Sequence, residues 1–366
     1  MRVDFNGQLS DVVCMSDRDL FASLIEGIES RAAKARRRAF WLPRKERKKF
    51  IYDQTFRNDI EAVAYPLAKG MKCLPNFVDP KTYHEKMRSL YLTHPNPLMS
   101  LAADKIEMHK LCSYFDTPIV PLGMYGAYED PADLDVTTLP ETCYLKVNDG
   151  CKMNMLHARG KPMTPLWLRI FERKWWHVDH WRRQGELHYR DIPRRMLVEE
   201  ALLPLNTLRE TAVYCIYGEP YVYSIVGFNY HGYERFRGQV SINGAYQRVA
   251  ARFGKYLPIS IAGTSDEFEA ILETAKRLSR PFAHSRIDFM QNGDRTVVGE
   301  ITLSPRAFNN PDRDLATEIE RGDLIDMDRL EDSLATCRQI AADLGWPVEA
   351  SFGHLAEDPR LATGGQ

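Results

Sequence analysis

Apolar positions recur along the chain with two periods, and together they divide it into helices and short strands. Up to about residue 75 the spacing is helical. "DPKTYHEKMRSLYL" (Asp79 to Leu92) reads as a capped helix, and "NPLMSLAADKIEMHKLCSYF" (Asn96 to Phe115) again has helical spacing. "TPIVPLGMYG" (Thr117 to Gly126) reads as a short strand punctuated by Pro and Gly, and "ETCYLKVNDGCKMNMLH" (Glu141 to His157) as strand, glycine turn, strand. The segment from Leu168 to Leu203 begins as an aromatic-rich helix and ends in the strand "RMLVEEALL". "TAVYCIYGEPYVYSIVGF" (Thr211 to Phe228) reads as a hairpin with Gly218-Glu219-Pro220 at its tip. A helix from Ser265 to Leu278, a second hairpin over Arg286 to Pro305 and a helix from Asp328 to Leu344 complete the order. Hairpins interleaved with helices make an α+β protein of several subdomains.

The second hairpin, "RIDFMQNGDRTVVGEITLSP", carries an acid on each arm. Ile287, Phe289, Val297, Ile301 and Leu303 are apolar and odd-numbered, and side chains alternate faces along a strand. Two odd-numbered sets share a face only if the connection holds an odd number of residues, which favours a three-residue loop, Gln291-Asn292-Gly293, with Gly293 left-handed. The opposite face then carries Arg286, Asp288, Glu300 and Thr302. Two carboxylates on one face repel unless something positive lies over them. A divalent cation with oxygen ligands satisfies them, and so does a solvated face screened by Arg286.

Composition narrows the class. The 366 residues are 44% hydrophobic and 27% charged, ordinary for a soluble protein of two or three packed units. No apolar run is long enough to span a bilayer, and the N-terminus lacks a secretory pattern. Seven cysteines, an odd number without metal-type CxxC spacing, suggest reduced thiols and a cytoplasmic enzyme. The net charge of −1 gives no global attraction to nucleic acid. One local patch stands out, "ESRAAKARRRAFWLPRKERKKF" (Glu29 to Phe50), basic throughout Arg31–Lys49 with Phe40, Trp41 and Leu42 at its centre. It is a solvated helix pair with an apolar stripe docked on the body, or a surface for anionic glycan or lipid head groups, with nucleic acid a weaker third option that no recognised module supports.

Other candidate chemistry is distributed. Lys146 leaves a short strand just before a turn with Gly150, where a cation and backbone amides can meet phosphate. Glu199 and Glu200 are consecutive in a strand, so they point to opposite faces. His177 and His180 have no third ligand nearby and read as polar helix residues. There is no G-x-S-x-G or Walker-type loop.

The order of these pieces resembles the ATP-grasp superfamily, and more narrowly the TupA-like family linked to teichuronopeptide and other surface-glycan biosynthesis. The resemblance is carried by "DPKTYHEKM", "NPLMSLAADKIEMHK", "LPETCYLKVNDG", "ELHYRDIPRRMLVEEAL" and "SRPFAHSRIDFMQNGDRTVVGEITLSP", from Asp79 to Pro305, leaving the N-terminal extension and the tail after Asn310 outside. It implies an ATP-grasp fold, two α+β lobes enclosing a nucleotide cleft. It divides the chain into a helical extension (1–75), an N-terminal lobe (76–140), a lid (141–205), a catalytic lobe (206–345) and a tail (346–366). Lys105, Lys146, Gly150 and the strand edge Glu199, Glu200, Ala201 and Leu202 would bind ATP. Asp288, Glu300 and Thr302 would hold Mg2+, and Arg286 and Lys152 would act on the transferred phosphoryl group.

Three positions depart from the family pattern. The usual H-G-S-G-x-N loop is Asp149-Gly150-Cys151-Lys152-Met153-Asn154, a usual lysine falls on Ala212, and the glycine after Pro305 is Arg306. The resemblance implies ATP-dependent joining of a carboxylate to an amine, the substrate being an amino-acid, amino-sugar or uronic-acid precursor. A kinase on the same fold and a catalytically degenerate nucleotide-binding subunit are the rivals.

Overall fold

The computed structural model describes residues 15–203, 207–229, 232–240, 246–247, 265–309 and 315–352. The start of the N-terminal extension, with Cys14, and the end of the tail lie outside the described residues. The extension is helical, as its spacing predicts: α1 (Met15–Ala39), α2 (Arg44–Thr55) and α3 (Asp59–Met71). Ile28, Ala32, Ala35 and Ala39 recur along one stripe of α1 and are buried. Asn58 caps α3 by accepting the Glu61 amide at 3.0 Å, and Glu61 in turn holds Arg31 and Arg57.

Helix α4 (Tyr83–Thr93) opens with a capping box in which Thr82 and Glu85 satisfy each other's backbone amides. The next apolar run is two helices rather than one, α5 (Leu98–Ala103) and α6 (Met108–Tyr114). The cause is Asp104, which leaves helical geometry and turns its carboxylate onto the Ile106 amide at 2.8 Å. The break places Lys105 outside either helix.

Strands β1 (Met124–Tyr128), β2 (Cys143–Val147), β3 (Asn154–His157) and β4 (Met196–Glu200) make an antiparallel sheet in the order β1-β4-β2-β3. β1 starts later than the segment Thr117–Gly126 suggests, because Pro121 is used instead in an isolated bridge to Val298. Cys143, Leu145, Val147, Met196 and Val198 turn to one face and pack with Leu168 and Phe171 of α7 (Pro165–Phe171). Lys146 is therefore left on the other face.

The second sheet contains β5 (Arg209–Ile216), β6 (Glu219–Asn229), β7 (Gly232–Val240), β8 (Tyr246–Gln247), β9 (Ser285–Asn292) and β10 (Arg295–Thr302), ordered β10-β9-β5-β6-β7-β8. The β5–β6 hairpin turns at Tyr217-Gly218, with φ of 46° and 86°, so Glu219 and Pro220 belong to the strand instead of the tip. Helix α8 (Ser265–Ser279), with α5, α6 and α10 (Leu330–Asp343), covers one face of this sheet, and α9 (Leu315–Asp323) packs on α4.

The β9–β10 hairpin corrects one step of the sequence reasoning. Asn292 pairs with Arg295, so the loop is the two residues Gly293-Asp294, and the odd residue is a bulge at Gly299. Before the bulge Val298 opposes Phe289, and after it Glu300 opposes Asp288 and Ile301 opposes Ile287. Val298, in place of Val297, thus joins Ile287, Phe289, Ile301 and Leu303 in the core, while Val297 packs with Leu122 and Leu202. Phe289 is fully buried, and its truncation to alanine would cost about 3–5 kcal/mol. The bulge is what keeps Asp288 and Glu300 on one face.

His188 is buried, stacked on Tyr91 at 5.6 Å, and neither ring nitrogen has a hydrogen-bond partner among the described residues. Burial pushes its pKa down to about 4, against the opposing pull of Glu186. The folded state therefore resists a proton that the unfolded chain takes up near its ordinary value of about 6.5. The contribution is complete above that value and is lost as pH falls toward 4. His188→Phe keeps the volume and the stack, so between pH 7 and pH 5 it should lose roughly 2 kcal/mol less stability than the wild type in urea denaturation. Equal losses in the two proteins would refute this.

Candidate active site

The charged faces of the two sheets meet at one junction. On β9 and β10, Arg286 grips Asp288 with Nε and Nη2 at 2.7 and 2.6 Å, and Nη2 also donates to Thr302 Oγ1 at 3.0 Å. Thr302 Oγ1 lies 3.3 Å from Asp288 and 3.4 Å from Glu300. From the other side, Lys105 Nζ stands 3.9 Å from the Glu300 carboxylate and donates to the Gly150 carbonyl at 2.9 Å. Lys146 pairs with the buried Glu199 on the inner face of the first sheet.

Electrostatics at the junction follows from burial against this ring of cations. Burial raises the Asp288 carboxyl, Arg286 lowers it and Glu300 raises it, leaving it at about 6. Glu300 is also pushed up by burial, but Lys105, Arg286 and Lys146 outweigh that and hold it below its ordinary value. Burial works against the Arg286 cation, yet Asp288 more than offsets it and raises its pKa. The pair is thus held near ionisation by three cations from separate elements.

The glycine turn is anchored on its inner side. Asn148 donates its backbone amide to the Arg195 carbonyl, its Oδ1 accepts the Arg195 amide, and its Nδ2 donates to the Pro193 carbonyl. Asp149 pairs with Arg194 at 2.6 Å. A Cβ on Gly150 would meet the Met153 sulfur at 2.5 Å, so the chain here leaves room only for glycine without a shift. Lys152 is exposed, left-handed at φ 58°, and without a hydrogen-bond or ion-pair partner among the described residues.

The sequence-derived residues fall into two groups. Lys105, Lys146, Gly150, Glu199, Arg286, Asp288, Glu300 and Thr302 come together, with Lys152 at the adjoining turn. Glu200 points the other way, bound by Arg295 at 2.5 Å, and its amide is taken by the Gly123 carbonyl at 2.8 Å. Leu202 is buried with Leu122 and Val297, and Ala201 is half-buried. Two residues escaped the sequence reasoning. Glu186 is buried, bonded by Ser304 at 2.5 Å and by His180 at 3.4 Å, behind the hairpin's end. Arg195 bridges Asp104 and Glu107 at 3.0 and 2.7 Å. Glu186 lies in "ELHYRDIPRR" and Arg195 closes it, and nothing in their local spacing marks them as buried partners.

Among the described residues no group of three or more His, Cys, Asp or Glu side chains is placed to hold a metal. The hairpin offers two carboxylates, with Thr302 between them. That set suits magnesium, which takes one or two protein carboxylates and completes its shell with water and phosphate oxygens.

An α+β arrangement of two antiparallel sheets with lysines facing a carboxylate-bearing hairpin is that of an ATP-grasp protein. Residues 149–326, a little under half of the chain, match the TupA-like ATPgrasp family. The match begins after Lys146 and runs past Asn310, so it is shifted toward the C-terminus relative to the quoted phrases. No curated protein matches the chain. Among solved structures, D-alanine–D-alanine ligase from Bacillus anthracis superposes with a TM-score of 0.35 at 14% identity, covering 67% of this chain and 71% of that one. The ATP-grasp ligase PsnB with its minimal precursor gives 0.35 at 14%, covering 65% and 62%. D-cycloserine synthetase DcsG gives 0.32 at 15%, covering 66% and 71%.

Ala212, where the family pattern has a lysine, lies directly across from Asp288 on β5. Arg286 supplies the cation that this position lacks. Arg286→Ala should therefore destabilise the protein by roughly 3–5 kcal/mol, because it strands a buried carboxylate. Adding Ala212→Lys should recover part of the loss in denaturant midpoint. No recovery would mean that position 212 does not address Asp288.

Proposed function

We propose that the protein is an ATP-dependent carboxylate–amine ligase acting on an amino-acid, amino-sugar or uronic-acid precursor of a surface glycan. The observation that carries the reading is the facing of Lys105 and Lys146 with Asp288 and Glu300 across the junction. In this reading Lys146 and Lys105 bind the inner phosphates of ATP, and the edge after β4 receives adenine through the backbone of Ala201 and Leu202. Glu199 holds Lys146 in place. Asp288 and Glu300, with Thr302, hold magnesium, which when bound neutralises phosphate charge and keeps the leaving ADP oxygen stable.

The substrate carboxylate attacks the terminal phosphorus, the bond to ADP breaks, and an acyl-phosphate forms. The amine then attacks the acyl carbon, phosphate leaves, and the amine's proton is lost. Arg286 steadies charge on the transferred group while it fixes Asp288. Lys152 reaches the outer phosphates in place of the loop's missing glycine, a charge where the family uses a backbone dipole.

Two experiments test this. Asp288→Asn with Glu300→Gln should abolish the magnesium-dependent part of ATP binding in calorimetry while the fold survives; unchanged affinity defeats the metal assignment. With a carboxylate and hydroxylamine supplied, the wild type should form a hydroxamate together with ADP, whereas a phosphorylated hydroxyl and no hydroxamate would make it a kinase. Turnover of no acceptor across a broad panel would favour the degenerate subunit.

Lys152→Ala should weaken ATP about tenfold and AMP little, in line with about 1–3 kcal/mol for a charge-assisted contact. Equal effects on the two nucleotides would remove Lys152 from the outer phosphates.

A further inference from the structure

The corner between α1 and α2 carries a feature that the ATP site does not use. The buried stripe of α1 ends at Ala39, and the next two residues, Phe40 and Trp41, stand 65% and 85% exposed. Their rings meet edge to face at 5.2 Å, and Arg47 fixes the turn by donating to the Phe40 and Leu42 carbonyls at 3.0 and 2.9 Å. The corner is thus a held shape that presents two large aromatics to solvent, against the usual gain from covering them.

Charge surrounds these rings. Lys34–Lys49 contains nine Lys or Arg and one acid, Glu46, a local net charge of +8. The whole chain carries −1, so the remainder carries −9. Arg36, Arg37 and Arg38 fill the last turn of α1, and Lys45, Lys48 and Lys49 line the exposed side of α2. No helix among the described residues is long and apolar enough to cross a membrane, so a membrane contact here would be made from one side.

We propose that this corner seats the protein on an anionic lipid bilayer, Phe40 and Trp41 entering the head-group layer and the surrounding Lys and Arg meeting lipid phosphates. Trp and Phe are suited to the boundary between head groups and acyl chains. Basic side chains beside them can bury their stems and keep their charges at the phosphates. The acidic remainder of the chain is repelled by the same surface, so only this corner faces it. A single-stranded nucleic acid would need a groove that follows its backbone. The aromatics here stand out at a turn between two helices, which suits a flat partner. The inference is independent of the ligase reading and says where the enzyme works, whatever it joins.

The test is sedimentation of the full chain with vesicles of phosphatidylcholine containing about one-third phosphatidylglycerol, beside vesicles of phosphatidylcholine alone. The wild type should partition at least about tenfold more strongly to the anionic vesicles, with binding that weakens as salt rises. Phe40→Ser with Trp41→Ser should lower that partition about tenfold, as should Lys45→Glu with Lys48→Glu and Lys49→Glu. All five side chains are exposed, and an unchanged urea midpoint confirms that each variant is folded. Wild-type partition in the aromatic variant would overturn the proposal. So would charge-dependent binding to a single-stranded oligonucleotide without binding to either vesicle. Because nucleotide binding is measured separately, loss of vesicle binding with ATP binding intact leaves the two readings distinguishable.

Discussion

The site is organised by a single electrostatic constraint: Asp288 and Glu300 are paired across adjacent strands on one largely buried face. Two like charges in such a place are tolerated only if cations reach them, and a carboxylate left alone there would take up a proton instead. Each neighbouring element supplies part of the answer. β9 supplies Arg286, the break between α5 and α6 supplies Lys105, and β2 supplies Lys146. The bulge at Gly299 sets which face the acids share, so the backbone irregularity and the charge pattern are one device. Regular pairing without the bulge would set Gly299 opposite Asp288 and carry Glu300 to the opposite face.

Much of this was readable from residue types. The helical extension, the hairpin around Asn292-Gly293 and the common face of Arg286, Asp288, Glu300 and Thr302 all follow from periodicity and turn chemistry. Parity correctly required one extra residue in the hairpin. It could not say where, because a three-residue loop and a two-residue loop with a later bulge give the same faces for Asp288 and Glu300. They differ from Arg295 to Val298, and at the core positions Val297 and Val298, both apolar, the pattern offered no contrast.

What stayed hidden depends on contacts between distant segments. Asp104 breaks a helix whose apolar spacing continues, and it does so by a local bond to the Ile106 amide supported by Arg195, ninety-one positions later. Glu186 meets Ser304 and His180 in the interior, although a lone acid in a polar stretch normally reads as solvated. The anchoring of Asp149 by Arg194 is of the same kind. At the basic corner the sequence offered a docked stripe or an exposed surface, and the structure contains both in succession, the stripe ending where Phe40 begins.

The central claim is that the hairpin acids serve a cation at a nucleotide site. A crystal structure of the protein with a non-hydrolysable ATP analogue and Mn2+, read at the manganese absorption edge, addresses it directly. The account predicts an anomalous peak within bonding distance of both the Asp288 and Glu300 carboxylates, with the phosphates between that peak and Lys146. Nucleotide bound at the junction with manganese away from both acids, or nucleotide bound elsewhere, would contradict it.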